Sequence, residues 1–328
     1  MTKLKVGMIG AGYMGSQHAR ILASDERVRV EAIYDLAPAR ASLCAKECGA
    51  QTVESVEWLI EMVDAVFITT PNTRHVEAAL SAISAERHVF CEKPLATSLV
   101  EARRILEASR HGRGLFQIGH NRRFAPVYQA AKKLIGQAGL SPHSAHGKMN
   151  RGELLKPDWV GDPAVTGGFL YETTIHMLDL LRWLFGEVES VIVHATSHEY
   201  PETDDFSMLF RFRSGTHATL ASSADASWQF PFERVEVFSH HATIETQEME
   251  RISHTTGLEA SLVTESFDQL PRESRWGYVQ EDRAFVDAIL HGEPAPVTAL
   301  DGYQAVELVD ACYRAARTKE PVLLDAES

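Results

Sequence analysis

Residues 3–15 read KLKVGMIGAGYMG, and this stretch decides the fold. Lys3 to Ile9 is a short, mostly apolar run with strand character. It passes directly into Gly10-Ala11-Gly12-Tyr13-Met14-Gly15, and the pattern through His18-Ala19-Arg20-Ile21-Leu22 is helical. A second strand, Val28 to Tyr34, ends at Asp35, about 20 residues beyond the last glycine. A lone G-x-G-x-x-G says little. Set between strand and helix, with an acid at that distance, it is a dinucleotide-binding fingerprint. Gly10 permits the tight turn, Gly12 lacks the Cβ that would meet a pyrophosphate, and Gly15 lets helix and strand approach. The helix N-terminus offers unpaired N–H groups to phosphate. Asp35 is placed to accept hydrogen bonds from a ribose diol, and its charge opposes a 2′-phosphate. Leu36-Ala37-Pro38 follows with nothing basic before Arg40, so NAD is expected and NADP is disfavoured.

The alternation continues outward from this turn. Strand candidates follow at Ala65–Thr69, His88–Cys91 and Gly114–Ile118, with helical patterns between them at Val76–Ala85 and Leu99–Ser109. Strands joined by helix-length connections imply a parallel, doubly wound sheet. After Asn121 the pattern changes. A helix over Ala125–Leu134 and a strand over Ser144–Asn150 precede an irregular stretch and a helix over Tyr171–Phe185. Strands then dominate: Glu187–Ala195, the run in which Phe206, Met208, Phe210 and Phe212 alternate with Ser207, Leu209 and Arg211, its partner Thr216–Ala224, and Glu233–Glu245. The partner strand is rich in small residues, which suits a face covered either by another subunit or by its own helices. Helices over Glu281–Leu290 and Gly302–Thr318 close the chain. The expected division is a Rossmann domain over residues 1–121 and an α+β domain over 122–328. The closing helices near 281–318 are expected to pack back toward the first domain.

Composition limits the function classes. The chain has 328 residues, enough for two domains, and 45% of them are hydrophobic, as in ordinary globular proteins. A formal net charge of −13 argues against nucleic acid or an anionic membrane as partner. No apolar run approaches the roughly 18 residues of a membrane span, and the apolar N-terminal run reads as a strand rather than a signal peptide. Four cysteines without metal-ligand spacing predict reduced thiols, no metal and a cytoplasmic location.

Two further groups of residues carry chemistry. Glu92-Lys93-Pro94 lies at the end of a predicted parallel strand, where ligands of open α/β sheets collect. Pro94 restricts Lys93. On spacing alone Lys93 is equally a cleft lysine or a surface lysine in a turn. In the second group, Glu172, His176 and Asp179 fall at i, i+4 and i+7 of an otherwise apolar helix, so they share a stripe that must face water or a polar cavity. A carboxylate one turn from an imidazole suits a general base. Asn121, Arg122, Arg123, Asn150, Arg151 and Trp159 lie in segments expected to approach a cleft, where polyols want hydrogen-bonding groups and an aromatic platform.

Together these motifs resemble the glucose–fructose oxidoreductase / inositol dehydrogenase / MocA family. The resemblance rests on GAGYMG, Asp35, Thr69-Thr70-Pro71-Asn72 with His75, Glu92-Lys93-Pro94, Asn121-Arg122-Arg123-Phe124, the helix carrying His176 and Asp179, and the tail from Asp301. It covers essentially the whole chain. It implies an N-terminal Rossmann domain, a C-terminal domain with a large open, mainly antiparallel sheet, and homo-oligomers (dimers or tetramers) formed through that sheet. It implies NAD(P)-dependent oxidation of a sugar, sugar derivative or cyclitol. Lys93 would contact cofactor and substrate hydroxyls, and His176 would act as acid and base. The family's aspartate four residues before the histidine is Glu172 here, and its small residue two before the histidine is Thr174. Two alternatives remain at this stage: a reductase of another substrate class, or a glycosidase using redox at a ring carbon, on the same scaffold; and a non-catalytic cofactor-sensing regulator.

Overall fold

The computed structural model describes residues 3–136, 140–152, 159–198 and 202–325. Its contacts divide the chain into two units, one running up to His120 and including Val279–Val306, the other formed by Asn121–Tyr278 and the residues from Glu307 on.

In the first unit, β1 (Leu4–Ile9) turns into α1 (Tyr13–Ala23), followed by β2 (Val28–Tyr34) and α2 (Pro38–Cys48). Then come β3 (Gln51–Thr52), α3 (Val56–Met62), β4 (Ala65–Ile68), α4 (His75–Ser84), β5 (His88–Glu92), α5 (Leu99–His111) and β6 (Phe116–Gly119). Local chemistry explains the helix ends. Pro38 opens α2 and Gly49, in the left-handed region, closes it, while the Ser98 hydroxyl accepts the Glu101 N–H at the start of α5. All pairings in this sheet are parallel, in the order β3-β2-β1-β4-β5-β6. Strand order therefore reverses at β1 and β4, the place where open sheets bind ligands. The core is a stack of rings: Phe67 and Phe90 lie 4.5 Å apart and Phe285, from the late helix Tyr278–His291, meets both edge-on. Full burial of each such ring is worth roughly 1.5–3 kcal/mol.

The second unit is built on a nine-stranded sheet. Its strands are β7 (Ser144–Asn150), β8 (Val188–Thr196), β9 (Asp205–Phe212), β10 (His217–Ser223), β11 (Glu233–Ser239), β12 (Ala242–Gln247), β13 (Arg251–Thr256), β14 (Val263–Ser266) and β15 (Val322–Leu323). The order is β14-β13-β12-β11-β7-β10-β9-β8-β15, antiparallel except where β7 and β10 pair in parallel. The alternation along β9 is realised: Phe206, Met208, Phe210 and Phe212 are buried and the residues between them face outward. The strand region expected over Glu233–Glu245 is realised as a hairpin with His240-His241 at its tip: His241 takes a positive φ of 51° and the chain turns there between β11 and β12. Helices α6 (Pro126–Ile135) and α7 (Ile175–Phe185) belong to this unit, with Phe185 packed edge-on against Phe212. Among the described residues no helix is long and apolar enough to cross a membrane.

Candidate active site

Gly10, Ala11 and Gly12 make the whole connection from β1 to α1. Gly10 has φ +101°, and a Cβ there would stand 2.7 Å from the Thr69 carbonyl oxygen. A Cβ on Gly15 would collide with the Gly10 carbonyl, so helix and turn meet only through glycine. Gly12 differs: nothing lies within 4 Å of where its Cβ would be. It is the N-cap of α1 and no side chain caps the helix there. Bare backbone, open space and a helix N-terminus fit the pyrophosphate of NAD. Tyr13 and Met14 follow on the first turn, Tyr13 with 66% of its surface exposed.

Asp35 is tied into this turn. One carboxylate oxygen accepts the Ala11 N–H at 2.8 Å, and the other accepts the Ala37 N–H at 2.7 Å and the Arg40 guanidinium at 2.9 Å. Leu36, beside it, is exposed. Thr69, after β4, donates its hydroxyl to the Gly10 carbonyl at 2.8 Å, joining the two turns at the switch point. Pro71 leads into a turn of 3₁₀ helix over Asn72–Arg74, where Asn72 is buried. His75 is buried too, and its nitrogens lie 2.7 Å from the Pro94 carbonyl and 2.9 Å from the Thr70 carbonyl. Burial outweighs these two bonds and pushes its imidazole below the ordinary value. His75 therefore sits between the main chain after β4 and that after β5, donating as a neutral ring to one of the two carbonyls at a time.

Glu92 ends β5, and one of its oxygens accepts the Lys93 N–H at 3.0 Å. The other faces His18 Nε2 at 3.0 Å, and His18 Nδ1 is 2.7 Å from Asp282. Lys93 is half-buried and its bond to Pro94 is cis. The sequence reading did not single out His18 or Asp282. The one available signal was a polar residue on the buried stripe of α1 with Gly15, Ala19 and Leu22.

In the second unit, Gly167 and Gly168 both have positive φ. At Gly168, φ +108°, a Cβ would stand 2.6 Å from the Tyr313 hydroxyl, which accepts the Leu170 N–H at 3.0 Å. The chain then enters a π-helical turn, Leu170–Thr174, before α7. Regular α-helical stacking from Glu172 to His176 does not hold, because the wider turn rotates Glu172 relative to α7. The shared stripe is also not a solvated face. Glu172 is half-buried, His176 is 8% exposed, and Asp179 is fully buried. Asp179 receives a two-pronged bond from Arg123, at 2.9 Å and 2.6 Å. Thr174 is accommodated by Ser222: the hydroxyls are 2.8 Å apart and Ser222 donates to the Met149 carbonyl.

The neighbouring predicted residues divide. Asn121 donates to the Trp276 carbonyl at 2.8 Å, and buried Arg122 bonds Glu233 at 2.9 Å and lies over the Trp276 ring. Burial disfavours the Arg122 charge, but Glu233 outweighs it and holds the group above its ordinary value. Tyr128 donates to the second Glu233 oxygen at 2.5 Å. These residues, with Arg123, form a frame. Arg151 is placed differently, with its guanidinium 5.2 Å from the Trp228 ring and 5.1 Å from that of Phe232. Asn150 donates its main-chain N–H to the Phe232 carbonyl, and half-buried Trp159 lies in a turn. A small, open cleft is lined by Glu172, Thr173, Gly168 and Phe169, among others; His176 does not line it. Among the described residues no group of three or more His, Cys, Asp and Glu could hold a metal ion.

Comparison with known proteins places this arrangement. A model of an oxidoreductase family with an NAD-binding Rossmann fold matches residues 4–120, and that family's C-terminal alpha/beta domain matches residues 132–324. The chain belongs to the glucose–fructose oxidoreductase / inositol dehydrogenase / MocA family. Within it, the chain is 30% identical to an inositol 2-dehydrogenase of Klebsiella pneumoniae strain 342, over 97% of this chain and 96% of that one. It is 26% identical to the crystal structure of a putative myo-inositol dehydrogenase from Sinorhizobium meliloti 1021, with a TM-score of 0.84 over 98% of this chain and 100% of the other. It is also similar to GenD2 of gentamicin A biosynthesis, solved with NAD, at 25% identity and a TM-score of 0.86 over 99% and 97% of the two chains. The family's NAD-binding description agrees with the open cradle at Gly12.

Proposed function

We propose that this chain is an NAD-dependent dehydrogenase that oxidises a secondary hydroxyl of a sugar, sugar derivative or cyclitol. One observation carries the substrate class: the match to inositol 2-dehydrogenases runs end to end, 97% of this chain against 96% of the relative. When bound, NAD supplies the acceptor for the hydride that leaves the substrate carbon. Gly10 to Gly15, Asp35, Leu36, Arg40, Thr69 to Asn72, His75 and Glu92 hold it or shape its site.

His176 removes the hydroxyl proton as general base, a task for which imidazole suits neutral pH. Lys93 donates a hydrogen bond to the same oxygen and stabilises the negative charge that develops there. Glu172, one methylene longer than the family's aspartate, orients His176 or binds a neighbouring hydroxyl. Asn150, Arg151 and Trp159 contact the substrate. Asn121, Arg122, Arg123 and Asp179 act as the frame behind these groups, a reading supported by their mutual bonds. A cofactor-sensing regulator would need neither Lys93 nor His176.

The test is a panel of inositols, aldoses, anhydrosugars and sugar acids, scored for NADH formation with NAD and NADP side by side. At least one compound turns over with NAD, and His176→Ala lowers its kcat by about two to four decades while NAD affinity changes little. A flat panel with tight NADH binding would replace the enzyme by the regulator, and an unchanged kcat would remove His176 as base.

Assembly and location belong to the same reading. On the outer face of the nine-stranded sheet, Ile192, Leu209 and Thr219 lie in one cross-strand row, Ile192 and Leu209 being 41% and 42% exposed. That row supports a homo-oligomer, dimer or tetramer, formed through the sheet; a single-chain mass by light scattering at micromolar concentration would overturn it. The four unbridged cysteines support a cytoplasmic location, against which trapping any of them oxidised in cells would count.

A further inference from the structure

His18 lies on α1, the helix that begins at the glycine turn, and its ring is fully buried. Phe67 and Phe90 stand 5.8 Å and 5.1 Å from it. Both ring nitrogens face carboxylates, Nδ1 toward Asp282 at 2.7 Å and Nε2 toward Glu92 at 3.0 Å. A neutral imidazole has one N–H and one lone pair, so it satisfies one of these contacts and sets lone pair against lone pair at the other. The geometry therefore calls for one further proton in the cluster. A ring flanked on both sides by carboxylates is where that proton is best held.

Electrostatics agree. Burial pushes the His18 ring down, but Asp282 and Glu92 together outweigh it and hold it well above the ordinary imidazole value. Burial pushes Glu92 up, yet His18 and then Lys93 bring it below the usual carboxylate range. Asp282 is raised, by burial first and by Glu92. Lys93, His75 and Cys91 also feel this cluster, each through Glu92.

The remaining Glu92 oxygen accepts the Lys93 N–H at 3.0 Å, and His75 takes hold of the Pro94 carbonyl one residue further on. We propose that His18 and Asp282 are positioning residues for Lys93: a doubly protonated His18, held by Asp282, fixes the Glu92 carboxylate that clamps the Lys93 main chain. The helix that cradles the cofactor phosphates thereby also sets the loop that carries the ammonium group. This rests on the role given above to Lys93 at the reacting oxygen.

The test uses the full chain and has two arms. In side-chain nitrogen NMR, both His18 nitrogens of the wild type carry protons at pH 7.5, and the Lys93 amide proton sits downfield, as a bond to an ionised acceptor requires. In Asp282→Asn the ring gives up its second proton at lower pH than in the wild type, and the Lys93 amide moves upfield along the same titration curve. In the kinetic arm kcat of Asp282→Asn falls about 10- to 100-fold, as misplacing a catalytic group by a fraction of an ångström does. KM for NAD stays within about twofold, a split that general loss of structure would not give. His18→Gln, which keeps one N–H donor, falls between the two proteins and serves where Asp282→Asn does not fold. A neutral His18 in the wild type, a Lys93 amide indifferent to Asp282→Asn, or an unchanged kcat would each overturn the proposal. If the wild type oxidises nothing in the panel, the dehydrogenase reading fails while the NMR arm still decides the clamp.

Discussion

Both units bury charge, and they do so with different chemistry. In the second, Glu233 answers to Arg122 and Asp179 to Arg123, each carboxylate to a guanidinium. In the first, Glu92 and Asp282 answer to one imidazole. A guanidinium stays charged at any pH a folded protein meets, whereas an imidazole does so only while it keeps a second proton. The second unit's pairs thus form a permanent frame, and the first unit's cluster is conditional on a proton. The conditional cluster is the one that touches Lys93.

The largest effect comes from breaking the permanent frame. Glu233→Ala strands the Arg122 charge and the Tyr128 hydroxyl in a site where all three groups are buried. Removing one partner of such a pair costs about 3–5 kcal/mol, whereas replacing both by apolar residues of similar volume, as in Arg122→Met with Glu233→Leu, costs far less. Urea unfolding followed by tryptophan fluorescence measures both, since Trp276 lies over Arg122. A single variant losing less than about 1 kcal/mol would show that the pair is not the frame described here.

The contrast also explains what the sequence made legible. The first unit's fold could be read because its signals are local: a glycine turn after an apolar strand, an acid at the end of the next strand, and helix-length gaps. Alternating phenylalanines announced β9 in the same way. The short β3 and α3, and the polar edge strands β13 and β14, carry no such periodicity and were not anticipated. Around the site, Glu92-Lys93-Pro94 and the helix bearing His176 could be found by motif, but not the partners that define their surroundings. His18 meets Asp282 across 264 positions, Arg123 meets Asp179 across 56, and Arg122 meets Glu233 across 111. Pairings at such separations leave no trace in local spacing, so a stripe read as facing either water or a polar cavity proves to hold a buried His176 and an Asp179 bonded to Arg123. The π-helical turn left no local signal either, and the bond at its first residue, from the Leu170 N–H to the Tyr313 hydroxyl, spans 143 positions.

A smaller effect sharpens the same contrast through pH. Because His18 is held above its ordinary value in the folded protein, the stability it contributes is present in full below about pH 6.5, the unfolded value. It declines as pH rises past that point and is gone once pH passes the folded value. Each unit of separation between the two values is worth about 1.4 kcal/mol. Glu92 acts with the opposite sign: its depressed value adds stability above the ordinary carboxylate range, lost only as pH falls through the folded value. Arginine pairs contribute no such slope on the alkaline side. Between pH 6.5 and 9, amide exchange corrected for its intrinsic pH dependence should therefore lose protection in β4 and β5 and keep it in β9 and β10. In His18→Gln, which has no proton to lose there, the first-unit slope should flatten to match the second. Equal slopes in the two units of the wild type, or a slope that survives in His18→Gln, would mean that the buried proton is not what separates them.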